Sequence, residues 1–310
     1  ATFILPELES PKILDLGVNY ITYDDKDGPK PAFEKFSKTN KISKLGVESR
    51  TIRHLELDLM NSTGINSDVV DASDIFAKLR MSKSSNEIDC MIKAVNIAET
   101  SLESVLGNIK PGVTEKQFAA DLVIELLRNG SDSELPFSPI VASGINAANP
   151  HHFPGDKEFQ DGELIIIDWG ANFEGYFSDI TRTFALGDNI DDKLLRAYET
   201  VKQANESARV KAKIGVQAGI VDEAARKVID GSGFGKFFTH RTGHGLGLEV
   251  HEEPYITPGN DFILEKGMTF TIEPGIYIPN LGGIRIEDDI HLEESGATSL
   301  TTLSRELIHL

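Results

Sequence analysis

Between residues 84 and 109, apolar side chains return at steps of three, four and seven: Ile88, Met91, Ile92, Val95, Leu102, Val105, Leu106 and Ile109. That spacing lays one apolar stripe along a long helix. Ser84 followed by Glu87 has the capping-box spacing that opens such a helix, and Lys110-Pro111-Gly112 stops it. Thr114 with Gln117 opens a second helix, whose core face is Phe118, Leu122, Leu126 and Leu127 and which ends at Asn129-Gly130. Strands are then predicted over 164–167 and 176–184.

The second half repeats this plan. The pattern predicts a long helix over 194–212, a shorter one over 221–229, and strands at 268–272, 276–278 and 284–290. The link between the helices is echoed as well, Lys110-Pro111-Gly112-Val113-Thr114 against Lys213-Ile214-Gly215-Val216-Gln217. Residues 81–310 therefore read as a duplicated helix–helix–sheet unit of the α+β class. Residues 1–80 read as a separate small α/β unit. A strand at Phe3-Ile4-Leu5 ends at Pro6, a polar loop runs from Asp24 to Pro31, Lys44-Leu45-Gly46-Val47 suggests a buried strand, and helices are expected near 50–60 and 71–80.

Composition narrows the function. With 310 residues, 40% of them hydrophobic, the chain can bury a sizeable core. A net charge of −18 argues against nucleic acid, whose phosphates need a basic face, and against an anionic membrane surface. No apolar run approaches the ~20 residues of a membrane span, and the first twelve residues lack the basic start and apolar stretch of a signal peptide. Cys90 is the single cysteine, so there is no intramolecular disulfide and no thiolate zinc site, and a reducing cytoplasm fits best. Any metal must be held by histidine and carboxylate.

The short catalytic motifs fail: no G-x-G-x-x-G, Walker loop or G-x-S-x-G is present, and His251-Glu252 begins an H-E-x-x-H whose last position is Tyr255. What stands out is a set of polar residues where strands prefer apolar ones. Asp168 ends the run Leu164-Ile165-Ile166-Ile167, and Asp179 follows eleven residues later, beyond a turn between Gly170 and Gly175 that could bring the two together. His244 sits among Gly243, Gly245 and Gly247, which permit close backbone approach. Glu273 interrupts an apolar strand before Pro274-Gly275, and Glu287 lies in Gly283-Ile284-Arg285-Ile286-Glu287-Asp288-Asp289. Each alone has a plain structural explanation as a turn cap, a satisfied core histidine, a salt bridge or a solvent-facing edge. Asp288 and Asp289 are read that way, as solvated or structural. The set resists it, because four carboxylates in separate apolar strands each need a buried partner. Two divalent cations balance four carboxylates, with His244 adding a neutral nitrogen. An oxygen-rich site with one imidazole favours Mn²⁺ or Co²⁺, zinc and iron being the other ions these donors accept.

The order Asp168, Asp179, His244, Glu273, Glu287 resembles the pita-bread metallopeptidases, and the detail resembles their proline-directed branch, Xaa-Pro dipeptidase (prolidase) and Xaa-Pro aminopeptidase. The resemblance runs over about 76–308. It is carried by Pro150-His151, Ser178-Asp179-Ile180-Thr181-Arg182-Thr183, the segment from Thr242 to His251, Ile272-Glu273-Pro274-Gly275-Ile276-Tyr277 and the Glu287 segment. It implies hydrolysis of the bond before proline in short peptides by a hydroxide bridging two metals bound by those five residues. It further implies that His151 assists the leaving nitrogen, His251 hydrogen-bonds the developing oxyanion, Glu273 also shuttles the proton, and Arg285 orients Glu287. His152, Tyr176 and Phe177 are read as structural. Residues 1–80 would be an incomplete copy of that branch's dimer-forming N-terminal lobe, with 81–310 the catalytic domain, and the chain a homodimer. The alternatives are a methionine aminopeptidase, which resembles this chain in its ligands but usually lacks a separate N-terminal domain, and a catalytically dead binding protein on the same scaffold.

Overall fold

The first strand, β1 (Thr2–Pro6), ends at a residue that has no N–H to give to a ladder. It belongs to a computed structural model that describes residues 1–65 and 68–310. The chain divides into two compact units, Ala1–Lys78 and Leu79–Leu310. In the first, β1 pairs in parallel with β2 (Asn19–Tyr23), and α1 (Lys30–Thr39) follows. Pro31, expected at the end of a loop, instead sits in the first turn of α1, where its missing N–H costs nothing. Next come β3 (Lys44–Val47), α2 (His54–Ser62), β4 (Asp68–Asp71), parallel to β3, and α3 (Ser73–Met81). The expectation of a buried strand at 44–47 is corrected: of its residues only Val47 is buried, because this is half of a two-stranded sheet. β4 was not expected.

The second unit opens with α4 (Ser85–Val105), capped by Ser84 and Glu87 reciprocally, and α5 (Glu115–Arg128), capped in the same way by Thr114 and Gln117. Strands β5 (Ile140–Ser143), β6 (Glu163–Trp169), β7 (Asn172–Phe173), β8 (Tyr176–Phe177) and β9 (Ile180–Leu186) follow, then α6 (Asp192–Lys211) and α7 (Ala218–Gly231). The chain closes with β10 (Gly243–Gly245), β11 (Glu252–Ile256), β12 (Thr269–Ile272), β13 (Gly275–Ile278), β14 (Gly282–Arg285), β15 (Asp288–Glu293), β16 (Gly296–Ser299) and β17 (Ile308–His309). One sheet has the order β17-β9-β6-β5, a second β11-β10-β12-β15-β16, and β13 pairs with β14 as a hairpin. This is the pita-bread architecture of the α+β class.

The duplication is visible in single hydrogen bonds. In the first half Gly112, Glu115 and Lys116 donate their N–H groups to the carbonyls of Phe159, Lys157 and Gly155. In the second half Gly215, Ala218 and Gly219 donate to Leu264, Phe262 and Asn260. Thr114 bridges Glu158 as Gln217 bridges Ile263. Each link thus clips the start of its second helix onto an extended segment leading into a sheet.

The core lies where α4 and α5 cover β6 and β9. Ile88, Met91, Val95, Leu102, Phe118, Leu122, Leu126, Ile165, Ile167, Trp169 and Phe184 form one cluster, and the Trp169 indole donates to the Ala98 carbonyl at 2.8 Å. Two expected core positions are exposed, Ile92 at 37% and Leu127 at 45%. Each follows a buried residue directly, so it is turned about 100° away from the buried face. Phe118 is fully buried with its ring edge-to-face on Phe159, centroids 6.0 Å apart. Phe118→Ala should therefore lower unfolding free energy by about 3–5 kcal/mol, seen as a lower urea midpoint at unchanged slope. Ile124→Ala, at a position 46% exposed, should change it by about 0.5 kcal/mol or less.

Candidate metal centre

Three of the four singled-out carboxylates sit at breaks in strands. Asp168 is next to last in β6, but Asp179 falls between β8 and β9, Glu273 between β12 and β13, and Glu287 between β14 and β15. The unbroken strands expected over 176–184 and 284–290 are thus each interrupted at the acid, and the interruption lets the side chain leave the pleat. The freed backbone groups are held elsewhere. Asp179 N–H donates to Asp289 Oδ2 at 3.1 Å, Glu273 N–H to the Thr242 carbonyl at 2.7 Å, and Glu287 N–H to the Thr181 carbonyl at 3.1 Å.

Ligand atoms of Asp179, His244 and Glu287 lie within 4.8 Å of one another. The His244 Nε2 is 3.6 Å from Asp179 Oδ2 and 3.4 Å from Glu273 Oε1. His244 Nδ1 faces the Gly245 carbonyl at 3.1 Å. With Nδ1 as the donor there, the Nε2 lone pair is left toward the acids. Burial pushes the imidazole pKa down to about 3, which keeps that lone pair free. Asp168 joins from the other side: its Oδ2 accepts from Arg285 Nη2 at 2.6 Å, while its Oδ1 is buried with no hydrogen-bond partner.

Burial, followed by repulsion from the neighbouring carboxylates, holds the Asp179 and Glu287 carboxyls well above their ordinary range. Burial also raises Asp168, against the pull of Arg285, and pushes Glu273 up to about 7. Four carboxylates around one neutral imidazole, with one Asp168 oxygen unpartnered and Arg285 paired to the other, suit divalent cations in charge and in donor type.

Arg285 lies behind the acids. Its guanidinium reaches Asp168 directly and Glu287 only through Thr181: Nε donates to Thr181 Oγ1 at 3.0 Å, and Thr181 Oγ1 donates to Glu287 Oε2 at 2.6 Å. Nη1 donates to the Tyr277 hydroxyl at 2.8 Å. All five candidate ligands, with Arg285, His151 and His251, line one cavity of about 880 Å³. His151 is exposed to it, its N–H on Asn149 Oδ1 at 3.1 Å, and the His251 ring stands edge-on to His244, centroids 4.3 Å apart.

His152 also lines the cavity but is held by Glu115 Oε2 at 2.8 Å, and Tyr176 packs against the core with its hydroxyl on Glu87 at 2.7 Å. Asp288 and Asp289 are both fully buried, which removes the solvated reading for the pair. Asp288 is ion-paired to Arg182 and Arg305 at 2.8 and 2.7 Å, and Asp289 accepts from the Asp179 backbone.

Sequence reasoning passed over His240, which also lines the cavity. Its Nδ1 is 2.6 Å from the Arg241 carbonyl, its Nε2 2.9 Å from the Tyr277 hydroxyl, and burial pushes its pKa down to about 3. No sequence signal marked it, because the chain bends at His240 and Thr242 before β10 begins. The remaining cavity lining includes Pro136, Phe137, Pro139, Ile140, Phe153, Pro154, Val250 and Arg241.

A sequence model described as metallopeptidase family M24 matches residues 89–294. The chain is 36% identical to the Xaa-Pro dipeptidase of Pyrococcus furiosus over 99% of its own length and 86% of that protein. Among solved structures, a dipeptidase from Pyrococcus horikoshii superposes with a TM-score of 0.93 at 43% identity, covering 100% of this chain and 85% of that one. A prolidase from Thermococcus sibiricus gives 0.94 at 37% identity, covering 100% and 84%.

The raised Glu273 carboxyl has a measurable consequence in metal-free protein. Its folded pKa of about 7 stands above its ordinary 4.5. Stability from its protonated form is therefore complete below 4.5 and lost as pH rises through 7. Glu273→Gln cannot ionise. Its stability relative to the parent, measured by urea unfolding after chelation, should be flat below that window. Within the window it should rise by up to about 1.4 kcal/mol per pH unit. A difference independent of pH would contradict the burial of that carboxyl.

Proposed function

The chain belongs to metallopeptidase family M24 and is a peptidase, and from that premise we propose that it is a Xaa-Pro dipeptidase, using two divalent metal ions to hydrolyse the peptide bond before proline in short peptides. One observation carries the reading: Asp168, Asp179, His244, Glu273 and Glu287 all line one cavity, whose walls also include the apolar side chains of Pro136, Phe137, Pro139, Ile140 and Val250. These five residues would hold Mn²⁺ or Co²⁺ in preference to zinc or iron. Bound there, such ions polarise a carbonyl and bring the pKa of a water from ~15.7 toward ~7.

The chain's own groups do the rest. Arg285 holds Asp168 in place through the 2.6 Å contact, and with Tyr277 and Thr181 it fixes that side of the site. His251 would donate an N–H to the carbonyl oxygen as negative charge builds on it, where a preplaced donor is worth most. His151 would donate to the departing nitrogen. Glu273 would take a proton from the attacking water and return it to the product. A proline nitrogen in peptide linkage carries no N–H and its ring fixes φ. A site for it must therefore recognise shape, and Phe137, Pro139, Ile140 and Val250 offer a surface on which a pyrrolidine ring can pack. The similarity to the Xaa-Pro dipeptidase of Pyrococcus furiosus supports the same assignment.

We also read the chain as a cytoplasmic homodimer. Its single cysteine supports the compartment, and the exposed Leu8, Leu14, Leu16 and Leu55 of the first unit support a lobe that meets a second copy. Light scattering at twice the 34.0 kDa chain mass would agree with this, and a monomer would end it. Among the described residues no helix is long and apolar enough to cross a membrane.

The test is a peptide panel on gently purified protein whose metal content has been measured. Xaa-Pro dipeptides should be cleaved, and Met-Ala should not. Chelation should abolish activity reversibly on adding Mn²⁺ or Co²⁺, and Asp179→Asn should abolish it with the fold retained. Hydrolysis of Met-Ala in preference to Xaa-Pro would shift the assignment to a methionine aminopeptidase. His151→Ala and His251→Ala should keep both ions yet lose ~10²–10³ in kcat; loss of metal in either would make it a ligand.

A further inference from the structure

His251 has no polar contact that fixes its ring. Among the described residues no hydrogen bond is made by its imidazole, which rests edge-on against His244 and is otherwise open to the cavity. Where the ring stands is therefore inherited from the backbone that carries it, the loop 246–251 between β10 and β11. The start of that loop is held by its backbone, with the Thr269 hydroxyl donating to the Leu246 carbonyl at 2.6 Å and the Phe177 N–H to the Gly247 carbonyl at 2.9 Å; its far side is held by a side chain from the residue that follows it. Glu252, next to His251, is the first residue of β11 and pairs across to Gly245 in β10. Its carboxylate turns back under the loop: Oε1 accepts the Glu249 N–H at 3.0 Å, and Oε2 meets Lys83 Nζ at 2.9 Å. Both side chains of this ion pair are buried, Lys83 at 2% and Glu252 at 5% exposure.

Lys83 is itself a fixed post. Its N–H donates to the Gly267 carbonyl at 2.8 Å, and the preceding Ser82 bridges Met268 at the start of β12. The fit at the tip of the side chain is close. A methyl group on Gly247 would stand 2.6 Å from Lys83 Cε, 2.7 Å from Nζ and 3.0 Å from Glu252 Oε2. Any side chain at this position would push the tip of Lys83 off its ion pair. A second pair, Arg80 with Glu249 at 2.9 Å, holds the outer part of the same loop.

Burying a lysine and a glutamate together is a poor way to gain stability, since apolar side chains of similar volume often serve as well or better. It is a good way to fix one backbone in one place. We propose that Lys83, through Glu252, is the positioning residue that sets the His251 imidazole in the cavity. Lys83 lies ahead of the segment that matches the family model. This inference rests on the reading of His251 as a donor to the developing oxyanion.

The experiment is a double-mutant cycle on metal-loaded enzyme with a Xaa-Pro dipeptide. Lys83→Met should lower kcat by about 10–100-fold, the usual effect of removing a group that orients an active residue. The same change made in His251→Ala should cost less than about twofold, because the residue through which it acts is gone. Metal content should not change, and hydrogen exchange of the amides in 246–251 should quicken in Lys83→Met while α6 stays protected. If Lys83→Met does not fold, Glu252→Gln, which removes the charge at the same size, enters the same cycle. Equal losses in both backgrounds, or a parental kcat in the Lys83 or Glu252 variant, would overturn the inference. An unchanged kcat in His251→Ala alone would instead remove the reading of His251 on which it rests.

Discussion

Four carboxylates held out of water within reach of one another repel, and the arrangement around them follows from containing that repulsion. In the folded chain Asp179 and Glu287 carry their carboxyls well above the ordinary range, and among the described residues Arg285 is the one guanidinium ion-paired into the group. A site of this kind cannot be assembled from flexible loops, because each acid would swing to solvent. Here the acids stand at the ends and breaks of strands whose neighbours are already hydrogen-bonded, so leaving the site would mean breaking the sheet. The cost of gathering negative charge is carried by the scaffold and is recovered when cations bind.

The run Glu287-Asp288-Asp289 shows how finely this is divided. Glu287 stands just before β15, whose first two residues, Asp288 and Asp289, face opposite sides. Glu287 enters the site and receives the Thr181 hydroxyl. Asp288 points the other way and is closed off by Arg182, Arg305 and the Asn205 amide. Asp289 returns to the first side and accepts the Asp179 backbone N–H, which fixes the start of β9. Three consecutive acids thus serve as a candidate ligand, an anchor for arginines, and a brace for another candidate ligand. Only the first of these jobs was separable in the sequence, because all but one of the partners of the other two lie far off along the chain: Asn205 is 83 residues from Asp288, Arg182 is 106, and Asp179 is 110 from Asp289.

What the sequence made legible was local. The capping boxes at Ser84 and Thr114, the apolar stripes of α4 and α5 and the repeated link at 110–114 and 213–217 each depend on neighbours a few residues apart, and each is where it was expected. The acids were conspicuous because strands that are apolar on both faces leave a carboxylate nowhere to go. The breaks at Asp179 and Glu287 were not legible, since the alternation continues through them, and neither was the exposure of β3, which depends on how few strands flank it. His240 escaped for a related reason. Its place is set by Tyr277 and by the Arg241 carbonyl, and a lone histidine outside the glycine cluster carries no sign of either.

The internal duplication explains why the loops around the site are tied so differently. Both halves keep the same backbone clip at the start of the second helix, yet the next residue is Glu115 in the first half and Ala218 in the second. Glu115 is fully buried and gathers the Ser143 N–H and hydroxyl, the Asn146 amide, His152 and the Gly155 N–H, so it fastens the loop that presents His151. The second half uses a residue one turn further on. Asp222 holds Thr242 by N–H and hydroxyl and fixes Arg226, which in turn caps the His240 carbonyl. Two equivalent helices thus each send one buried acid toward the site, from positions that do not correspond. The substitutions that break the symmetry fall on the ties that hold the histidine-bearing loops, while the apolar stripes that hold the fold keep it.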